Sequence, residues 1–159
     1  MKGVGMNKAF TREDDADQQP DLLPERAISP HPNLVTSEGL SQIDAAIARL
    51  TEEHGAARAA GDATITAATA RDLRYWSARR GTAQLTEPKA GSQVQFGSRV
   101  TIRRQDGSAR AYRIVGTDEG NPTQGKLSYA SPLAQALMGK EIGVTVVVGA
   151  HEEEIIDIA

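Results

Sequence analysis

Few residues in this chain have the types and spacing that chemistry needs. The three histidines, His31, His54 and His151, fall in separate segments and share no metal-ligand spacing. No Gly-x-Ser-x-Gly turn raises a serine as a nucleophile. Neither a Walker loop nor a dinucleotide fingerprint occurs. The acid that stands apart is Asp62, in the pair Gly61-Asp62 between two stretches of helical periodicity. A carboxylate there can cap the following helix by accepting a hydrogen bond from a first-turn N–H. It can also ride on the end of a projecting hairpin, about 35 Å from its base, and complete a metal site that belongs to another protein. Neither role makes this chain an independent enzyme.

The elements that must position Asp62 run from Thr36 to Leu85. Leu40, Ile43, Ile47 and Leu50 follow one another at steps of three, four and three, an a/d seam. Ile65, Leu73, Trp76 and Ala83 repeat the pattern more sparsely. Two such arms bury their stripes against each other, so 34–86 reads as an antiparallel coiled-coil finger. Thr36 or Ser37 supplies an N-cap, and Glu38 suits the positive end of the helix dipole. A first arm reaching Ala60 is about 37 Å long at 1.5 Å per residue. Its outer part, 54–60, is rich in alanine and thinly packed. The second arm carries Arg71, Arg74, Arg79 and Arg80, read as a solvated face; contact with phosphates or an acidic wall is the sharper alternative.

Beyond a Pro-Gly linker at 87–92 the period falls from helical to two. Val94 and Phe96 alternate, then Val100 and Ile102. Asp106-Gly107 is a hairpin turn with its return strand at 109–115. A strand at 126–129 follows, and Ser131-Pro132 opens a short helix over 133–138. Strands at 144–148 and 154–158 close a small antiparallel sheet. The fold class is α+β, a helical hairpin followed by this sheet with one short helix.

Composition narrows the partners. The chain has 159 residues, a formal charge of -3 and no cysteine, which excludes disulfides and thiolate metal sites. No apolar run approaches the roughly 20 residues of a membrane span, and the N-terminus has no signal core, so the expected location is cytoplasmic. Aromatic residues make up 4% of the chain, too few for a stacking platform. The mildly acidic balance argues against a stable direct grip on DNA. Residues 1–33, with the acidic group Glu13, Asp14, Asp15 and Asp17 and the prolines Pro20, Pro24, Pro30 and Pro32, read as a disordered tail.

Several motifs together resemble the GreA/GreB family of bacterial transcription elongation factors. They are Phe96-Gly97, the run from Tyr112 through Thr117-Asp118-Glu119, and Leu127-Ser128-Tyr129-Ala130-Ser131-Pro132-Leu133-Ala134. Ala136 through Gly143, the opening Asn7 to Asp15 and the helix start at Val35-Thr36-Ser37-Glu38 extend the likeness. The resemblance spans nearly the whole chain and is specific in the C-terminal unit, loose in the finger. It implies an FKBP-like domain over 92–159 that grips the rim of the RNA polymerase secondary channel, with Ser131, Pro132, Asp118 and Glu119 as docking residues. It also implies a monomer with no cofactor of its own, whose finger tip, here Asp62, helps hold an Mg²⁺ shared with the polymerase. The polymerase would then do any RNA cleavage.

Three departures stand out. The family tip resembles Gly-Asp-x-Ser-Glu-Asn-Ala-Glu-Tyr, and Ile65 stands where its second acid falls. The first arm is shorter by one to two turns. Ala130 precedes Ser131-Pro132 where the family commonly has Asp or Asn. The alternative reading is therefore a non-cleaving channel-binding regulator, similar to the short-fingered regulator of nucleoside diphosphate kinase (Rnk), that competes with Gre factors. A prolyl isomerase is a third reading, for which Phe96, Tyr112 and Tyr129 are the only aromatics at hand. Fold analogy alone does not carry it.

Overall fold

A computed structural model describes residues 23–159. The acidic group at Glu13 to Asp17, the motif Asn7 to Asp15 and most of the expected tail lie outside the described residues. Leu34–Val35 (β1) pairs in parallel with Gln84–Leu85 (β2), with Leu34 opposite Gln84 and Val35 opposite Leu85. This ladder ties the start of one helix to the end of the next.

Helix α1 spans Ser37–Ala60. Thr36 is its cap: the Gly39 N–H donates to Thr36 Oγ1 at 3.0 Å, and the Leu40 N–H donates to the Thr36 carbonyl at 2.9 Å. Ile43, Leu50 and Ala57 are buried at heptad spacing along one stripe. The helix stops in a Schellman pattern at Gly61, whose φ of 70° suits glycine. The Gly61 N–H donates to the Arg58 carbonyl at 3.1 Å and the Asp62 N–H to the Ala57 carbonyl at 3.0 Å. Helix α2, Ala63–Thr82, then returns. The cross-arm contacts run Asp44 to Arg80 and His54 to Thr69, one number rising as the other falls, as an antiparallel hairpin requires.

Among the described residues, contacts gather into two compact units. One holds 23–27 with Ala46–Ser77, the other Ile28–Ala45 with Ala78–Ala159. In the second, Arg99–Arg104 (β3) and Ala109–Val115 (β4) form a hairpin over Asp106-Gly107. The Asp106 carboxylate accepts from the Ser108 N–H at 2.8 Å and from the Ser108 hydroxyl at 2.6 Å. Those bonds, the hydroxyl's first, hold its pKa below the ordinary carboxylate value. Lys126–Ser128 (β5), Thr145–Val148 (β6) and His151–Ile158 (β7) complete a sheet of order β5-β4-β3-β7-β6.

The sheet is mixed, which corrects the wholly antiparallel expectation: β5 runs parallel to β4, with Arg113 opposite Lys126 and Val115 opposite Ser128. A parallel neighbour needs a crossover rather than a tight turn. The loop through Gly116 to Gly125, with a 3-10 turn at Pro122–Gln124, supplies it. Helix α3, Pro132–Leu137, buries Ala134 and Leu137 against Phe96, Ile102, Ile114 and Ile155. Val94 and Phe96 are buried as read, though in a loop rather than a strand. No helix among the described residues is long and apolar enough to cross a membrane.

Candidate docking surface and finger tip

At the tip, Asp62 is the cap of α2. Its Oδ1 accepts from the Ile65 N–H at 3.0 Å, while its carbonyl takes the Thr66 N–H at 3.0 Å. Ile65, in the first turn of that helix, is 49% exposed. Ala56, Ala57, Ala60 and Ile65 line a shallow apolar hollow here, with Asp62 and Glu53 at its edge. Glu53 is turned to Arg49, whose Nη1 lies 2.9 Å from its Oε1. Among the described residues no three acids or histidines gather as a metal clamp. One carboxylate that is already capping a helix, with Ala63 and Ile65 after it, does not fit a shared Mg²⁺.

Deeper in the finger, His54 Nδ1 lies 3.0 Å from Thr69 Oγ1 and 3.2 Å from the Thr66 carbonyl oxygen. A carbonyl only accepts, so Nδ1 carries the proton in that contact. His54 is thus a seam residue of the hairpin, bonded across to α2.

In the second unit, the four docking candidates divide. Ser131 caps α3, its hydroxyl oxygen accepting from the Ala134 N–H at 3.3 Å, and Pro132 follows at the first helical position, exposed. The turn before them is held by Gln135, whose Nε2 donates to the Tyr129 carbonyl at 2.6 Å. The Tyr129 hydroxyl donates to the Pro32 carbonyl. Burial pushes the Tyr129 phenol above its ordinary pKa, with the charge of Arg79 acting the other way.

Asp118 and Glu119 are engaged inside the chain. Glu119 is buried: its Oε2 accepts from the Thr36 N–H at 3.2 Å and the Gly116 N–H at 3.1 Å, and its Oε1 accepts from the Thr36 hydroxyl. A carboxylate at the N-terminus of α1 also sits at the favourable end of the helix dipole. Asp118 Oδ2 lies 2.6 Å from Arg79 Nε, and Thr117 Oγ1 accepts from Arg79 Nη2 at 2.9 Å. Arg79 is 2% exposed, which corrects its placement on a solvated basic face. Its own carbonyl accepts from Asn33 Nδ2 at 2.7 Å. The sequence signal that could have found this lock is the run of three polar residues, Thr117-Asp118-Glu119, directly after a buried strand end and Gly116.

Residues 88–159 match the family described as transcription elongation factor GreA/GreB, C-term. In this C-terminal region the chain is similar to the GreA/GreB family. Transcription elongation factor GreA of Hyphomonas neptunium is 45% identical over 73 residues, covering 43% of this chain and 46% of that protein. GreA of an Anaeromyxobacter species is 39% identical over 92 residues, 55% of each. The chain spans about half the length of the curated relatives it matches. Among solved structures, GreA factor homolog 1 (Gfh1) of Thermus thermophilus aligns with 79% of this chain and 97% of its own, at 19% identity and a TM-score of 0.40. The matched residues contain the Asp118-Glu119 lock and the Ser131-Pro132 turn; Asp62 lies outside them.

Proposed function

We propose that this chain is a GreA/GreB-type transcription elongation factor that docks on bacterial RNA polymerase through residues 88–159. The turn at Ser131 and the exposed Pro132 is the docking point; Thr117, Asp118 and Glu119 hold the helix ends at the base of the finger. The finger enters the secondary channel, and the factor changes elongation by occupying that channel, acting as an accessory protein without an active site of its own. The observation that carries the non-cleaving reading is the tip: one carboxylate, engaged as a helix cap, beside an exposed Ile65. This favours a competitor of cleaving Gre factors over a cleavage stimulator.

The test uses a backtracked elongation complex of the cognate polymerase with Mg²⁺. The wild-type chain is expected to leave the RNA uncut and to slow an authentic GreA added to the same tube. Asp62→Asn retains a capping oxygen and removes the charge, so it should behave as wild type. Ile65→Glu, at an exposed position, restores a second tip acid and should yield measurable cleavage. RNA shortening by the wild-type chain that vanishes in Asp62→Asn would overturn the non-cleaving reading.

A further inference from the structure

A feature of the first compact unit has no place in that function. Two adjacent side chains before the first strand, Glu25 and Arg26, engage α2. The Glu25 carboxylate takes Arg74 in a fork, with Nε at 2.9 and 3.1 Å and Nη2 at 2.6 Å. The Arg26 guanidinium stacks over the Tyr75 ring at 3.9 Å from its centroid and stands 5.6 Å from that of Trp76. Asp72 faces the same guanidinium, its Oδ1 lying 3.6 Å from Nη1. Tyr75 and Trp76 meet edge to face at 5.1 Å, which sets the platform on which the guanidinium lies.

We propose that the Glu25-Arg26 segment is the resident, displaceable occupant of a peptide-docking face formed by Asp72, Arg74, Tyr75 and Trp76, and that an extended segment of another protein carrying an adjacent carboxylate and arginine takes the same face when it lifts. The chemistry of the face is explicit in its present occupant. Arg74 reads a carboxylate with two parallel bonds. The aromatic pair beside it takes a planar cation, with Asp72, which also pairs with Arg71 at 3.2 Å, beside that cation. A Glu-Arg or Asp-Arg pair in an extended peptide matches both. The hold is reversible, because Glu25, Arg26 and Arg74 are all more than a third exposed and such pairs are individually weak. Tethering supplies the rest: a segment on the same chain competes at an effective concentration on the order of millimolar. An outside segment therefore wins only when it too is held close, as on a docked partner. This inference does not rest on the polymerase reading, and its test uses no polymerase.

The test uses a fluorescent peptide with the sequence of residues 21–31, titrated against the full chain and the full-chain variant Glu25→Ala/Arg26→Ala. With the internal occupant disabled, the variant should bind the peptide at least about tenfold more tightly than wild type. Trp76, the single tryptophan, reports the face directly: acrylamide quenching should rise in the variant and fall again when peptide is added. Adding Arg74→Ala to the variant should abolish peptide binding. Equal binding to wild type and variant would overturn the proposal, as would binding that survives Arg74→Ala. A single-stranded oligonucleotide that binds the variant more tightly than the peptide would overturn the choice of partner.

Discussion

Gly39 shows what one missing side chain does at the base of the finger. A Cβ there would lie 2.2 Å from Glu119 Cδ, in the seat of the carboxylate that holds Thr36 and Gly116. Glu119 cannot withdraw without giving up those buried bonds, so the strain falls on the helix start. Gly39→Ala should cost about 1–3 kcal/mol, read as a lower denaturation midpoint. Gly55 is the control, since a Cβ at that helical position meets nothing within 4 Å. Gly55→Ala should gain about 0.5–1 kcal/mol. Equal midpoints for Gly39→Ala and wild type would mean that Glu119 is not locked. Neighbouring charges in the sequence also part company at this scale. Arg74 and Arg80 remain in solvent, whereas Arg79 is buried because Asp118, far along the chain, meets it. A helical wheel places Arg79 but says nothing of a carboxylate arriving from a distant loop.

The finger as an element was legible because its signals are local. Gly61 and Asp62 end one helix and cap the next through bonds that span no more than five residues, and the heptad spacing of Ile43, Leu50 and Ala57 needs only a facing arm. Its packing is uneven. The inner seam buries Ile43 and Leu50; the outer one has only Ala57 and Thr69, with His54 bonded between the arms. Native-state hydrogen exchange should therefore find the amides around 43–50 slower than those of 54–60, with the tip opening first. Uniform protection along α1 would contradict this grading. The parallel β5 and the β1–β2 ladder were not legible. Strand periodicity reveals that a segment is extended, but parallel and antiparallel neighbours can share one alternation, and pairs of two residues carry no period at all.

For the whole molecule, charge decides which partners suit it. A formal charge of -3 with aromatics at 4% argues against a stable grip on free DNA. Docking on polymerase through residues 88–159 should then resist competition: excess duplex DNA is expected to leave the chain bound in a co-sedimentation assay. Release by DNA would point instead to a nucleic-acid contact and would count against the docking proposal.

The sequence by itself determined the α+β class, the hairpin with its Gly-Asp turn, the Asp106-Gly107 strand turn and the Ser131-Pro132 helix start. Each depends on residues within a turn or a heptad of one another, where backbone geometry and capping act without help from afar. The motif residues Asp118 and Glu119 were visible as a family likeness, yet what they do was not. Only the tertiary structure brought Glu119 to Thr36, Asp118 to Arg79 and Glu25 to Arg74, pairs separated by tens of residues. A buried carboxylate or guanidinium, such as Glu119 or Arg79, must find its partners wherever the fold delivers them, and that delivery is a property of the packed chain, which no local pattern encodes.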